Sequence, residues 1–291
     1  MKSLSLRPHL IYLFLVLIFY HCNPEPHTSK KNLDEAILSD TSSFYYVDVK
    51  NYPVKNKKLP IGIFDSGIGG LTVMDAIVKY DGFNNQNKTL SSDGILDFEK
   101  ECFIYLADQA NMPYGNYSSL NKTDVLKEHI LKNLQFLLSN KYYQSSSDEE
   151  FKIDKSPVKA IVIACNTATA YGMEDIEAFL KKAKLDIKVI GVINAGVKGA
   201  FENLSNNENC SIGVMATEGT VLSNGYPNTI DKYHSDLNYK GEIKTFQQAG
   251  IGLAGAIDGV IDYINTQTTG IRKEYKGPSL TSKEAQIDKS I

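Results

Sequence analysis

From residue 61 onward the chain repeats one unit, in which a short apolar run is followed by a turn and then by a helical pattern. The five apolar runs that we predict as strands are 61–64, 102–106, 158–164, 188–192 and 211–215. Near-continuous apolar strands that alternate with helices are typical of parallel sheets covered by helices on both faces. The predicted fold class is therefore α/β with parallel sheets.

The composition excludes several classes of protein. Of the 291 residues, 42% are hydrophobic, which is enough for a core and excludes wholesale disorder. The 31 basic and 34 acidic residues give a net charge of −3 without a basic stripe, so no nucleic-acid partner is expected. Four cysteines and five histidines form neither a disulfide framework nor a paired metal site.

The N-terminus carries a signature of export. Residues 10–20 (LIYLFLVLIFY) form an apolar run that is too short to span a membrane but fits a secretory signal. Cys22 follows it and resembles the lipid-attachment cysteine of bacterial lipoproteins, although Tyr20 and His21 replace the small residues preferred there. We predict a signal segment over 1–22 with a membrane tether through Cys22. The alternatives are an uncleaved anchor and a mis-assigned start before a cytosolic domain.

The rest of the chain divides into three parts. Residues 23–59 are rich in Ser, Lys, Asn and Pro and are predicted to be mainly a linker. Within it, residues 44–49 (FYYVDV) could form a short strand that packs on the domain. Residues 60–190 form a first α/β region, and residues 191–291 form a second one that is predicted to be incomplete. The polar stretches 84–92 and 145–154 are expected to be surface insertions.

Polar residues gather where the predicted strands end, which is where such sheets bind ligands. They are Asp65 and Ser66 after the first strand, Asp108, Tyr114 and Gly115 after the second, Cys165, Asn166 and Thr167 after the third, and Thr217 and Thr220 after a later one. The set contains one thiol and neither histidine nor lysine.

Cys165 is the most informative member of this set. It immediately precedes a predicted helix, whose N–H groups favour a thiolate, whereas a free cysteine is otherwise most often a buried structural residue. Acyl chemistry would need a histidine partner, but proton abstraction next to a carboxylate would not. Asp65 could orient the thiol or pair with an amine. Carboxylates could be bound by Ser66, Asn166, Thr167, Thr217 and the backbone N–H of Gly115.

Two glycine-rich stretches do not fit nucleotide-binding motifs. Residues 67–70 (GIGG) match neither GxGxxG nor a P-loop, so the glycines are interpreted as permitting a tight strand-to-helix turn. Residues 250–259 (GIGLAGAIDG) are interpreted as a site of close helix packing or as a flexible loop.

Five motifs follow one another along the chain: GIFDSGIGGLTV (62–73), YLADQANMPYG (105–115), VIACNTATA (162–170), VIGVINAG (189–196) and IGVMATEGTVLSNGY (212–226). In this order they resemble the motifs of glutamate racemases in the aspartate/glutamate racemase superfamily. The resemblance implies two α/β domains that face each other across a cleft and a cofactor-independent mechanism. In that mechanism one cysteine takes the α-proton of glutamate and a second returns a proton, and the D-glutamate serves peptidoglycan synthesis.

The resemblance also assigns roles to residues. Cys165 matches the first catalytic cysteine, and Asp65 matches the acid that assists it. The substrate site is implied to contain Ser66, Tyr114, Gly115, Asn166, Thr167, Thr217 and Thr220.

One departure from the family pattern is large. The second catalytic cysteine of the family lies in an LGCTH-type stretch, and this sequence contains none. Cys102 and Cys210 fall at strand starts, which is the wrong end of a sheet for a ligand site. We therefore expect a C-terminally truncated family member, whose 291-residue product is poorly stable.

Two other functions stay open. The chain could be an exported, catalytically impaired amino-acid-binding protein, or a related racemase that acts on aspartate. Export also conflicts with the cytoplasmic location of peptidoglycan precursor synthesis. Homodimerisation is left open by the sequence.

Overall fold

The computed structural model describes residues 33–205, 208–257 and 261. The predicted signal segment with Cys22, and the sequence from residue 262 onward, lie outside these described residues. Among the helices of the described ranges, none combines the length and the apolar character that crossing a membrane requires.

The first sheet has four parallel strands. They are β1 (Ile61–Asp65), β2 (Phe103–Ala107), β3 (Ala160–Ile163) and β4 (Lys188–Gly191), in the spatial order β2-β1-β3-β4. Ile61 pairs with both Phe103 and Ala160, and Ala160 pairs with Lys188, so the strands start and end level with one another. The predicted α/β class with parallel strands is confirmed. The carboxyl ends of these strands consequently lie along one edge of the sheet.

Helices follow the strands of this sheet, and the two longest of them pack in the main core. The helices that follow the strands are α2 (Gly70–Val78), α3 (Asn116–Ser119), α4 (Thr123–Leu138), α5 (Asn166–Ala183) and α6 (Val192–Glu202). In α4 the buried residues Leu126, Ile130 and Leu134 recur every four positions and form one apolar stripe. A Cβ on Gly172 of α5 would come within 2.6 Å of the Ile130 side chain. The glycine therefore allows α4 and α5 to pack closely.

A second sheet follows in the chain. Strands β5 (Cys210–Ala216) and β6 (Ile243–Ala249) are parallel and pair in register from Cys210 and Ile243. Between them lie α7 (Glu218–Leu222) and α8 (Gly225–Asp236), and α9 (Leu253–Ile257) follows β6. Ile193, Phe201 and Ile230 form a smaller core beneath this part.

Residues 33–59 differ from the predicted linker because they pack against the domain. Helix α1 (Leu33–Leu38) is followed by a 3-10 helix at Val49–Asn51, and no strand forms over 44–49. Ile37, Val47 and Tyr52 are buried in the main core, and the Tyr52 hydroxyl donates to the Val158 carbonyl oxygen at 2.7 Å. Burial of these side chains orders a segment whose composition is that of a tether.

Candidate active site

A cavity of about 500 Å³ lies at the carboxyl ends of strands from both sheets. Eight of the nine predicted site residues line it: Asp65, Ser66, Tyr114, Gly115, Cys165, Asn166, Thr167 and Thr217. The parallel register of the first sheet explains this convergence, because β1, β2 and β3 all end at the same edge. The cavity therefore brings together residues that are up to 152 positions apart in the chain.

Cys165 occupies the N-cap of α5. Its Sγ accepts a hydrogen bond from the backbone N–H of Ala168 at 3.4 Å and lies 3.4 Å from the Ser66 hydroxyl. Burial, and next the charge of Asp65, raise the pKa of the thiol to about 11, while the hydrogen bonds from Ser66 and Ala168 lower it. The thiol is therefore protonated at neutral pH.

Asp65 ends β1 and organises the turn that follows. One carboxylate oxygen accepts the N–H of Ser66 at 2.8 Å, and the other accepts the N–H of Gly70 at 2.7 Å. Gly70 is required there because a Cβ would lie 2.8 Å from the Asp65 Cβ and 2.9 Å from the Ala164 Cβ. The carboxylate thus holds the start of α2 against β1 and places Ser66 beside Cys165.

Tyr114 lines the cavity and connects it to a buried polar cluster. Its hydroxyl donates to Asp108 Oδ2 at 2.5 Å, and the Asn133 amide donates to both groups, at 2.9 Å to Asp108 and 2.8 Å to Tyr114. Burial, and next the hydrogen bond to the Asp108 carboxylate, raise the pKa of Tyr114. The cluster fixes the loop that carries Gly115, and the Met112–Pro113 peptide of this loop is cis.

Three threonine hydroxyls join the two parts of the fold. Thr167 lies on α5, and its Oγ1 is 3.2 Å from that of Thr217 and 3.1 Å from that of Thr220. Thr217 and Thr220 are 2.9 Å apart, and Thr217 also caps α7 by accepting the N–H of Thr220 at 3.3 Å. Thr220 is fully buried and does not line the cavity, so it supports the other two hydroxyls from behind.

The lining contains residues that the motif analysis did not assign. Glu218 and Tyr226 lie within the last of the quoted motifs, but no pattern in the sequence singles them out. The segment 250–257, interpreted as helix packing or a flexible loop, contributes to the wall through Gly250, Ile251 and Gly255, among others. Its position depends on β6, which the sequence analysis did not predict.

The charges around the cavity suit an amino acid. Asp65 and Glu218 are the acidic residues in the lining, and among the described residues the lining contains no lysine, arginine or histidine. Helices α2, α5 and α6 all begin at the cavity, where their N-termini favour bound anions. Backbone N–H groups and neutral hydroxyls could therefore hold carboxylates, while Asp65 could receive an ammonium group.

The other described cysteines lie elsewhere. Cys210 is the first residue of β5, Cys102 directly precedes β2, and neither lines the cavity. Across the described ranges, no group of three or more His, Cys, Asp or Glu residues is arranged to hold a metal ion.

Comparison with known proteins gives consistent sequence matches. No family model matches the chain. The chain is 33% identical over 181 residues to the glutamate racemase of Oceanobacillus iheyensis, which covers 62% of this chain and 50% of the relative. It is 31% identical over 218 residues to the glutamate racemase of Persephonella marina, and this match covers 75% of this chain and 63% of the relative. The chain spans about half the length of the curated relatives it matches.

Among solved structures, the chain is similar to the glutamate racemase isoform RacE1 of Bacillus anthracis. The TM-score is 0.49 at 26% identity, and the match covers 71% of this chain and 59% of that one. For the glutamate racemase of Francisella tularensis in complex with D-glutamate, the TM-score is 0.40 at 29% identity, with 65% and 53% covered. Over the residues matched by sequence, the chain is similar to glutamate racemases.

Proposed function

We propose that this chain carries a proton-transfer site of a glutamate racemase and that Cys165 takes the α-proton. The observation that carries the proposal is the position of the Cys165 thiol, in a cavity at the strand ends beside Ser66. The sequence matches to glutamate racemases support glutamate as the substrate. D-Glutamate formed in this way would supply peptidoglycan synthesis.

The proposed step needs the thiolate form of Cys165. The thiolate accepts the α-proton, the C–H bond breaks, and its electron pair is delocalised into the substrate carboxylate. The negative charge of Asp65 contributes to the raised pKa of the Cys165 thiol. An ammonium group bound at Asp65 would offset that charge and lower the pKa of the thiol. In this proposal the substrate itself helps to generate the base.

A second candidate function is binding of an amino acid without turnover. It is favoured by one observation: among the described residues, Cys165 is the one cysteine in the cavity. The two-cysteine mechanism that the family resemblance implies would need another proton donor on the opposite face of the substrate.

Two measurements on the 291-residue chain separate these functions. Chiral chromatography follows conversion of L-glutamate to D-glutamate, and calorimetry follows binding of L-glutamate. The racemase function is supported if the unsubstituted chain converts L-glutamate, the Cys165→Ala variant does not, and the Cys102→Ala variant still does. Binding without conversion supports the second candidate. If the chain neither binds nor converts L-glutamate, both candidate functions are contradicted.

The N-terminal segment contributes a separate proposal. A membrane tether through Cys22 is supported by the apolar run over residues 10–20 and by the cysteine that follows it. Metabolic labelling with a radioactive fatty acid tests this tether, and absence of label on the protein would contradict it. Homodimerisation is tested by analytical ultracentrifugation of the same protein.

A further inference from the structure

Tyr226 and Asn166 are joined by a hydrogen bond in the wall of the cavity. The Tyr226 hydroxyl donates to Asn166 Oδ1 at 2.8 Å, and both residues line the cavity. Burial raises the pKa of Tyr226, so its hydroxyl stays protonated, and able to donate, across the physiological range. The contact links the first residue of α5 to the first turn of α8.

Close packing of α8 makes this contact reachable. A Cβ on Gly225 would lie 2.9 Å from the Ala170 Cβ and 3.2 Å from Ile193 Cδ1. The preceding residue, Asn224, has a positive φ of 54°, which turns the chain sharply into the helix. Gly225 therefore allows α8 to approach α5 closely at the residue before Tyr226.

The hydrogen bond has a consequence for the Asn166 amide. An asparagine amide has an accepting oxygen at one end and two donating N–H groups at the other. With Oδ1 bound to Tyr226, the Nδ2 end is left for a ligand, and no described residue accepts a hydrogen bond from it. Rotation of the amide by about 180° would instead present the oxygen to the cavity and repel a carboxylate.

We propose that Tyr226 is a positioning residue that fixes the Asn166 amide with its N–H groups available to a substrate carboxylate. The inference rests on the proposed function, because that function supplies a substrate with carboxylates. Tyr226 acts through Asn166 and sets the affinity for substrate, while proton transfer is left to Cys165.

A double-mutant cycle tests this role by calorimetric titration of the 291-residue chain with L-glutamate and with D-glutamate. The variants are Tyr226→Phe, Asn166→Ala and the two combined, and Tyr233→Phe on the same helix is the matched control. A released amide would populate both orientations about equally, so Tyr226→Phe should weaken binding about twofold. Asn166→Ala should weaken it roughly tenfold, because a hydrogen bond to a charged group is lost.

Coupling between the two residues distinguishes positioning from general stabilisation. In the Tyr226→Phe background, Asn166→Ala should weaken glutamate binding less than it does in the unsubstituted chain. A purely structural role of Tyr226 would lower the melting temperature but leave the effects of the two substitutions on binding additive. Additive effects would overturn this inference but not the proposed function. The same holds if the Tyr226→Phe variant binds glutamate as tightly as the unsubstituted chain does. Absence of glutamate binding by the unsubstituted chain would contradict the proposed function as well.

A second variant keeps the test decisive if Tyr226→Phe does not fold. Asn166→Asp retains an oxygen acceptor for the Tyr226 hydroxyl and replaces the N–H groups by another oxygen. Glutamate binding should then fall by roughly tenfold or more, because like charges face each other. Unchanged binding by Asn166→Asp would overturn the inference.

Discussion

The sulfur of Cys165 lies 3.4 Å from the hydroxyl oxygen of Ser66, although the two residues are separated by 99 positions in the chain. They follow β3 and β1, which are adjacent and parallel, so both face the same cavity. The pair places a buried thiol beside a hydroxyl group and close to the carboxylate of Asp65. Its reactivity should therefore respond to pH and to that charge.

Alkylation of Cys165 should rise steeply at alkaline pH. Thiolates react with iodoacetamide, and the pKa of this thiol is raised to about 11, first by burial. Its thiolate fraction should therefore still increase about tenfold per pH unit between pH 8 and 10. Peptide mass spectrometry measures the rate for Cys165 separately from that for the exposed Cys102. A rate for Cys165 that levels off below pH 9 would contradict the raised pKa.

Replacing Asp65 by asparagine should make Cys165 more reactive. The Asp65 charge is the second cause of the raised thiol pKa, so a neutral side chain of similar size should lower that pKa. The alkylation rate at pH 8 should rise by up to about tenfold for a pKa lower by one. Asp75→Asn removes an exposed carboxylate from α2 and serves as the control. An unchanged or lower rate in Asp65→Asn would contradict the contribution of the Asp65 charge to the thiol pKa.

Removing the Tyr114 hydroxyl should destabilise the fold. Tyr114→Phe removes one of the hydrogen-bond donors to the buried Asp108 carboxylate. The carboxylate still accepts hydrogen bonds from the side-chain amides of Asn111 and Asn133. The free energy of unfolding should fall by about 1–3 kcal/mol, as measured by urea denaturation. Tyr117→Phe is the control, because the hydroxyl of Tyr117 donates to a backbone carbonyl oxygen. Equal losses in the two variants would argue against a special role for the Asp108 cluster.

Two glycine substitutions should act in opposite directions. In Gly70→Ala the new Cβ would meet the Asp65 and Ala164 Cβ atoms at 2.8 and 2.9 Å, so a loss of about 1–3 kcal/mol in unfolding free energy is expected. Gly196 is exposed inside α6 and has no atom within 4 Å of such a Cβ. Gly196→Ala should therefore raise the free energy of unfolding by about 0.5–1 kcal/mol. Thermal unfolding of both variants checks the signs, and a stabilised Gly70→Ala would refute the close approach at β1.

The residues of the candidate site could be grouped from the sequence because they follow buried parallel strands. The apolar run before Cys165 and the one before Asp65 are nearly continuous, so the ends of β3 and β1 could be identified from local pattern alone. By contrast, β6 alternates apolar and polar residues, as in Ile243-Lys244-Thr245, and its exposed face gives a weak signal. Because β6 is not predicted from the sequence, the part of the cavity wall that follows it is not predicted either.

Tertiary contacts account for what the sequence did not predict. The role of Tyr226 depends on the approach of α8 to α5 at Gly225, and no spacing in the sequence encodes that distance. Thr220 was predicted to line the substrate site, but its side chain points behind the wall to Thr167 and Thr217. Ile37 lies in a polar stretch, and only the core beneath it shows that it is buried.

The most direct test of Cys165 as the proton-transfer residue is hydrogen isotope exchange at the α-carbon of glutamate. L-Glutamate and D-glutamate are incubated separately in deuterated water with the unsubstituted chain and with Cys165→Ala, and proton NMR follows the loss of the α-proton signal. We predict that the unsubstituted chain exchanges the α-proton of at least one enantiomer and that Cys165→Ala slows this exchange by about 10²–10⁴-fold. Exchange at the same rate in Cys165→Ala would contradict the account.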